Sequence, residues 1–350
     1  MESLPPARRK VTLTDIAAGC GVSRATVSLV LRGSPLVNKH TRARVEEELR
    51  RQGYVYNRAA ANLRRRTSSS IALVINELGN PFFAEFAAGV DETLGAAGFV
   101  TLLGSTSEST DREQAVLGSL IEHGPGGIIL SPAEGSEASR VLATIGPQMP
   151  VLLFNRELGG SLPEYAHWDR LMLDNQRGAR VATEHLIAQG HQRIAFFGGH
   201  NDSSSCSQRY AGYQQAMEAA GLPVAGHWRV QTAPTRVDAA HRCDELFRAD
   251  PAPTAAVCYN DAVALGLMLG LAQRGLQTGH DFAVTGFDDI AEAAFSMPPL
   301  TTLATNPRAR GRQAAQLLLA RLRNPQADAS TTTAPVQLVV RESSGPLRSP

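Results

Sequence analysis

The stretch Leu13–Leu31, LTDIAAGCGVSRATVSLVL, constrains this chain more than any other, because two apolar-faced segments too short to stand alone meet at a glycine-bearing break. Thr14 can N-cap a first helix, its hydroxyl accepting from free N–H groups of the opening turn, with Ile16, Ala17 and Ala18 as a small apolar face. Gly19, Cys20 and Gly21 break that helix and Val22 turns inward. Ser23 then caps a second helix whose Val27, Val30 and Leu31 follow the i, i+3, i+4 spacing of one buried face. Arg24, Ala25, Ser28 and Leu29 are left on the other face. Such a pair is a helix-turn-helix, which presents the N-terminal residues of its second helix to base edges in a major groove.

The competing assignment, an antiparallel helix pair inside an ordinary core, is weakened by charge. Residues 1–70 carry 14 Lys or Arg against 5 Asp or Glu, and the rest of the chain carries 20 against 28. The net charge of +1 therefore hides a basic head on an acidic body, the asymmetry expected where one end neutralises phosphates. Other classes are excluded by composition and spacing. No apolar run approaches the roughly 18 residues of a membrane span, and MESLPPARRK has no apolar segment after its basic cluster, so neither insertion nor secretion is expected. Cys20, Cys206, Cys243 and Cys258 show no C-x-x-C pairing and no histidine at ligand spacing, which implies no metal site, no disulfide framework and a reducing cytoplasm.

From Ile71 the texture changes to short β-branched or Leu-rich runs alternating with helical stretches, the signature of βαβ units around a buried parallel sheet. IALVI, VTLLG, GIIL and VLLF alternate with helices beginning near Pro81 and spanning 112–122 and 137–145. The pattern restarts at Leu171 with LMLD, RIAFFG, a strand near Trp228, AAVCY and FAVTGF, interleaved with helices at 175–189, 208–220, 237–248 and 261–274. LTTLAT, a helix over 307–323 and VQLVV follow.

In their order TLTDIA, GVSRATVSLVL, VNKHTRARVEEELRRQGYVYNRAAANLRRR, NPFFAEFAAGV, TEHLIAQGHQRIAFFGG, RYAGYQQAM, CYNDAVALG, TGFDD and PPLTTL are very specific, and on them the chain resembles the LacI/GalR family of bacterial transcription repressors. TVSLVLRG, TEHLIAQGHQRIAFFGG and AAVCYN look closest to its maltose-system branch. The resemblance implies a small all-α helix-turn-helix head joined by a hinge helix to an α/β periplasmic-binding-protein-like clamshell of two parallel-sheet subdomains. The expected boundaries are 1–56 for the head, 57–70 for hinge and linker, and 71–350 for effector binding and dimerisation. Its two lobes are expected at 71–168 plus 300–325 and at 169–299 plus 326–350. No leucine heptad follows VQLVVRESSG, so no tetramerisation helix is expected.

In the head, Asn38 can cap a third helix over about 39–52 that Val45 and Leu49 bury and Gly53 stops. Arg24 is suited to a guanine edge and Ala25 to a thymine methyl. Thr14, Ser23, Thr26, Ser28, Leu29, Asn38, His40, Thr41 and Arg42 complete the expected DNA-facing set, several of them placed for phosphates. By resemblance the basic stretch after Tyr54 is a hinge helix in the minor groove, with Tyr54, Asn57, Arg58 and Ala60 at the DNA and Leu63 wedged into a base step. A solvated basic linker is the alternative.

In open α/β sheets ligands sit outside the carboxyl ends of the strands. Those ends carry Asn76, Phe82, Phe83, Asn155, Arg156, Asp174, residues 201–205, Arg209, Asn260, Asp261, Asp288 and Asp289. Planar amides, carboxylates and guanidinium groups beside aromatic faces suit a polyhydroxyl ligand, a sugar or sugar phosphate. Aligned on family motifs, Arg209, Asn260 and Asp288 are the firmest effector contacts, followed by Phe82, Asn155 and Arg156, with Asn76 and Asp174 completing the set. Asn260 and Asp288 capping helices is the competing assignment, and His167 and Trp168 fit either the cleft or its rim. No hydrolase, P-loop or zinc-protease motif occurs, and His185 on a helix reads as packed or solvated, so no enzyme, cofactor or metal is expected. The partners implied are operator DNA, a small effector and a second copy of the chain, with no membrane. A transport-type sugar receptor would lack the basic head, and a DNA-binding protein with a vestigial cleft remains the other alternative.

Overall fold

The computed structural model describes residues 11–54, 68–160, 165–248 and 250–347. The chain divides into two compact units, Met1–Thr67 and Ser68–Pro350. The expected hinge contacts Asn57, Arg58, Ala60 and Leu63 lie outside the described residues.

The first unit holds α1 (Leu13–Cys20), α2 (Arg24–Leu31) and α3 (Lys39–Arg51). Ile16, Ala17, Cys20, Val27, Val30 and Val45 are its buried core, with Val22, Leu31, Leu49 and Tyr54 packed on them. Two expectations are corrected. The N-cap of α1 is Thr12, not Thr14: its hydroxyl accepts from the Asp15 N–H while the Asp15 carboxylate accepts from the Thr12 N–H, a capping box that leaves Thr14 exposed one residue inside the helix. Ala18 is exposed, and Cys20 takes its place in the core. Ser23 and Asn38 cap α2 and α3 through the N–H groups of Thr26 and Thr41. Gly53, at φ 62°, ends α3: its N–H reaches Arg50 O and the Tyr54 N–H reaches Leu49 O, a closure that needs a left-handed residue.

The second unit contains two parallel sheets. The larger has the order β11-β5-β4-β3-β1-β2, formed by β1 (Ser70–Ile75), β2 (Val100–Ser105), β3 (Ile128–Leu130), β4 (Val151–Phe154), β5 (Asp169–Leu173) and β11 (Thr331–Ala334). Helices α4 (Pro81–Ala96), α5 (Thr110–Glu122), α6 (Ala138–Ile145) and α12 (Pro307–Arg323) cover it. The smaller has the order β7-β6-β8-β9, formed by β6 (Ile194–Phe197), β7 (Arg229–Val230), β8 (Ala255–Cys258) and β9 (Ala283–Thr285). It is accompanied by α7 (Asn175–Ala188), α8 (Ser204–Ala219), α9 (Arg236–Arg242), α10 (Asp261–Gln273) and α11 (Ala291–Phe295). Its neighbour is an antiparallel ribbon of β10 (Thr302–Ala304) and β12 (Gln337–Val339). The central strands are almost entirely apolar because both faces are covered; β1, β3, β4, β6 and β8 are almost wholly buried.

The expected lobe division shifts. β5 pairs with β4 and β11 pairs with β5, so residues 169–173 and 331–334 belong to the first lobe. Asp169 fixes that edge, accepting two bonds from the Arg321 guanidinium (2.8 and 2.9 Å) and others from the Ser330 N–H and hydroxyl. The chain then crosses between lobes after β5, after β10 and after β11. Helix α8 also begins earlier than expected, at Ser204, because the Ser203 hydroxyl accepts from the Cys206 N–H. The helix expected over 237–248 is instead α9 followed by a 3-10 turn at Cys243–Phe247. Close helix pairing relies on glycine: a Cβ on Gly311 would lie 2.0 Å from Phe86 O, and one on Gly89 would lie 2.0 Å from Arg308 O. No described helix is long and apolar enough to cross a membrane.

Candidate functional site

In the head, the start of α2 is open to solvent. Arg24 and Ala25 are exposed, Ser28 and Leu29 half-buried, and Arg24 has no hydrogen-bond partner among the described residues. The Thr26 hydroxyl lies 3.0 Å from Ser23 Oγ, so both are engaged in holding the helix start. His40 is exposed beside the Asn38 cap, and Thr41 is half-buried. Arg42 is partly committed to structure, donating to Ser34 O at 2.6 Å and so bracing the loop after α2. Tyr54 packs half-buried on the head core.

Both sheets of the body reverse strand order beside their first strand, at β1/β3 and at β6/β8, and the carboxyl ends there face a shared cleft. Glu77, Asn80, Phe82, Phe83, Glu108, Asn155, Arg156, Arg209, Pro234, Tyr259, Asn260 and Asp288 line it. The remaining cavity is about 20 Å³, room for about one water molecule. The walls fill most of the space themselves.

Arg156, at the end of β4, is the centre of the filling. Its Nη1 and Nη2 donate to Glu108 Oε2 and Oε1 (2.7 and 2.9 Å), Nη1 also to Pro132 O (3.1 Å), Nη2 to Tyr259 OH (3.1 Å) and Nε to Ser205 Oγ (3.3 Å). On the other side Arg209, from α8, donates from Nε to Asn175 Oδ1 (2.9 Å) and from Nη1 to Tyr259 O (2.6 Å), while its plane lies 3.6 Å from the Phe287 ring centre. Asp288 faces this cation, and its carboxylate makes no hydrogen bond among the described residues. Burial pushes that carboxyl well above the usual range; Arg209 pulls it down and Asp261 raises it further. Glu108, Asn155 and Asp288 all have left-handed backbone (φ 58°, 61° and 133°), a strain that persists only where surroundings impose it.

The other expected residues fall into three groups. Phe82, Asn155, Arg156, Arg209, Asn260 and Asp288 reach the cleft together, with Phe83 edge-on to Phe82 at 5.0 Å between ring centres. Asn260 does both jobs weighed for it: Oδ1 caps α10 through the Val263 N–H at 2.9 Å while the residue lines the cleft, whereas Asp288 caps nothing. Asn76 and Asp174 are displaced from the wall. Asn76 lies beneath it, donating to Pro132 O (2.8 Å) and accepting from Ser131 Oγ (2.5 Å), which makes it a support for the loop that also holds Arg156. Asp174 caps α7 through the Arg177 N–H; the neighbouring Asn175 is the residue that bridges to Asn155 at 3.3 Å. Trp168 is buried in the core of the first lobe and His167 is exposed, and neither lines the cleft. His185 is packed, its Nε2 lying 2.8 Å from Ser344 Oγ.

Glu77, Asn80, Glu108, Pro234 and Tyr259 were not anticipated. The strand-end rule extends to Glu108, three residues past β2, and to Tyr259, which directly follows β8, so the signal was available at both positions.

Comparison with known proteins agrees with this arrangement. Residues 12–57 match the family described as bacterial regulatory proteins, lacI family, and residues 183–344 match a periplasmic binding protein-like domain. The maltose regulon regulatory protein MalI of Escherichia coli (strain K12) is 30% identical over 340 residues, covering 95% of this chain and 98% of its own. Among solved structures, the Lac repressor dimer bound to operator and an anti-inducer is 25% identical with a TM-score of 0.83, covering 96% of this chain and all of that one. The complex of the transcriptional regulator CelR with cellobiose is 29% identical with a TM-score of 0.70, covering 95% and 100%. The chain belongs to the lacI family of bacterial regulatory proteins.

Proposed function

We propose that this regulator is a cytoplasmic homodimeric repressor whose heads read two operator half-sites and whose cleft takes a sugar-like effector. The single observation that carries the reading is the pairing, in one chain, of an uncommitted Arg24 at the start of a capped second helix with a polar, aromatic-edged cleft at two strand switch points. In the head, Arg24 pairs with a base edge and Ala25 touches a thymine methyl. Thr14, Ser28, His40 and Thr41 lie along phosphates, with Ser23, Thr26, Asn38 and Arg42 holding the geometry. The basic hinge stretch, with Leu63 as wedge, completes the contact.

A second copy has a surface to meet. Phe295 is 88% exposed, Met297 96% and Leu269 56%, and with Met268 and Leu265 they form one apolar face along α10, the end of α11 and the segment after it. A contiguous patch of this kind is an association surface more often than free solvent-facing chain. Effector binding couples to the operator only through differential affinity for two body conformations.

A second reading, a repressor with a vestigial cleft, draws on the small cavity left around Arg156. Fluorescence anisotropy of the full chain on its own upstream DNA, at fixed salt and with a panel of sugars and sugar phosphates, decides between them. Selective binding altered by one sugar is the expected result. Selective binding indifferent to every compound favours the vestigial cleft, and an absence of selective binding overturns both.

A further inference from the structure

A guanidinium has five N–H donors. In Arg156 all five are met: by Glu108 twice, by Pro132 O, by Tyr259 OH and by Ser205 Oγ. The first three acceptors belong to the first lobe and the last two to the second. The side chain is 4% exposed and its Glu108 partner 16%, so the pair is desolvated and charge-assisted. It is therefore a poor anchor for an incoming ligand, since any new bond has to replace an existing one. Arg209 differs: two donors are committed to Asn175 and Tyr259 O, and its Nη2 group has no hydrogen-bond partner among the described residues. Around Arg156 the lobes are joined by backbone donors as well. The Glu157 N–H reaches Ser204 Oγ at 2.8 Å and the Gly135 N–H reaches Asp202 O at 3.1 Å.

We propose that Arg156, held on the first lobe by Glu108, is a built-in clasp that reaches Tyr259 and Ser205 on the second lobe and, with the cross-lobe bonds around it, holds the cleft closed without a ligand, so that a ligand on that side enters only by displacing it. Its place in regulation rests on the effector reading above, but the clasp itself is a property of the chain without ligand and is tested without one. The left-handed backbone at Glu108 is consistent with a carboxylate forced inward to serve the guanidinium.

The test is amide hydrogen exchange on the full chain, comparing the native sequence with the double variant Ser205→Ala, Tyr259→Phe. That variant removes both cross-lobe acceptors and leaves Glu108 and Arg156 paired, so no lone charge is buried. The expected result is exchange about tenfold faster at Gly135 and Glu157, as two hydrogen bonds are lost, with β1 and β8 unchanged. Unchanged protection at Gly135 and Glu157 overturns the clasp. Should β1 and β8 accelerate equally, the neutral pair Glu108→Gln, Arg156→Met decides by the same readout: selective acceleration at Gly135 and Glu157 upholds the proposal, and native-like protection overturns it. Neither result depends on whether an effector is ever found, so failure of the clasp and failure of the effector reading are distinguishable.

Discussion

The head and the cleft use polar side chains in opposite ways. In the head the bonds that shape the reading surface are local: Thr12 with Asp15, Ser23 with Thr26, Asn38 with Thr41, each three residues apart. They stiffen the helix starts and leave Arg24 uncommitted. In the cleft the bonds are long-range, 48 residues from Glu108 to Arg156 and 103 from Arg156 to Tyr259, and they bind the polar groups to one another. A surface of free donors on a fixed frame suits reading a partner that is always the same shape. A cleft in which Arg156 is already saturated by its neighbours suits a switch, since a ligand on that side has to compete with an existing set of bonds.

If Arg156 is so fully satisfied, removing its carboxylate partner should cost more than any change in the head. Glu108→Gln leaves the buried Arg156 charge without its carboxylate, and the body should lose about 3–5 kcal/mol. Adding Arg156→Met should restore most of it, because no uncompensated charge is then left buried. Urea unfolding followed by tryptophan fluorescence measures this cleanly, since Trp168 and Trp228 both lie in the body. A loss below about 1 kcal/mol would mean that the pair behaves as a solvated surface bridge, and the contrast with the head would collapse.

The next effect is in pH. Burial pushes the Asp261 carboxyl up to about 6, against bonds from Thr302 Oγ1 and the Ile290 N–H. The unfolded chain releases this proton near pH 4 while the folded chain keeps it to about pH 6. Between those values the folded state binds more protons, so this group's contribution is fully favourable below pH 4 and falls as pH rises to 6, by about 3 kcal/mol. Asp261→Asn should remove that slope. Equal slopes for the native and variant proteins in unfolding measured from pH 4 to 7 would show that the site is wetter than its burial implies.

Arg24→Ala probes the other side of the comparison. With no internal bond to break, it should leave head stability unchanged, weaken operator binding by about 1–3 kcal/mol and relax preference at one base pair. Anisotropy against an operator series with single substitutions reads both. Uniform weakening at every sequence would reassign Arg24 to a phosphate.

This difference in range also explains what could be read from the sequence. Ser23, Asn38 and Gly53 were visible because caps and terminators act on neighbours, and the strand-helix alternation of the body was visible because burial on both faces leaves apolar runs. The lobe boundary was not, because β5 looks the same whichever sheet it joins; its place is set by β4, by β11 and by the Arg321–Asp169 bridge 152 residues away. In the cleft Arg209, Asn260 and Asp288 were reached through strand ends and family motifs. Asp174 was preferred to Asn175 because the sequence does not show which of two adjacent polar residues caps and which turns inward. Glu108, three residues past β2, lies within the same strand-end rule, but its pairing with Arg156 spans 48 residues and is not legible in the sequence.

The smallest effect tests the cap of α1, which falls on Thr12 instead of Thr14. Thr12 and Thr14 stand two residues apart before the same apolar run, and either hydroxyl satisfies a simple cap rule. The difference is Asp15, three residues after Thr12, whose carboxylate returns a bond to the Thr12 N–H at 2.8 Å and closes the box. Thr12→Ala should therefore cost the head about 1 kcal/mol, because two N–H groups at the start of α1 lose their fixed acceptors or their alignment. Thr14→Ala, at an exposed position already inside the helix, should change stability by less than about 0.5 kcal/mol. Thermal unfolding of the full chain followed by backbone-amide NMR of residues 13–20 separates the head from the body. Equal costs for the two substitutions would mean that α1 frays back to Thr14 in solution, and would make the start of the head less rigid than its hydrogen bonds require.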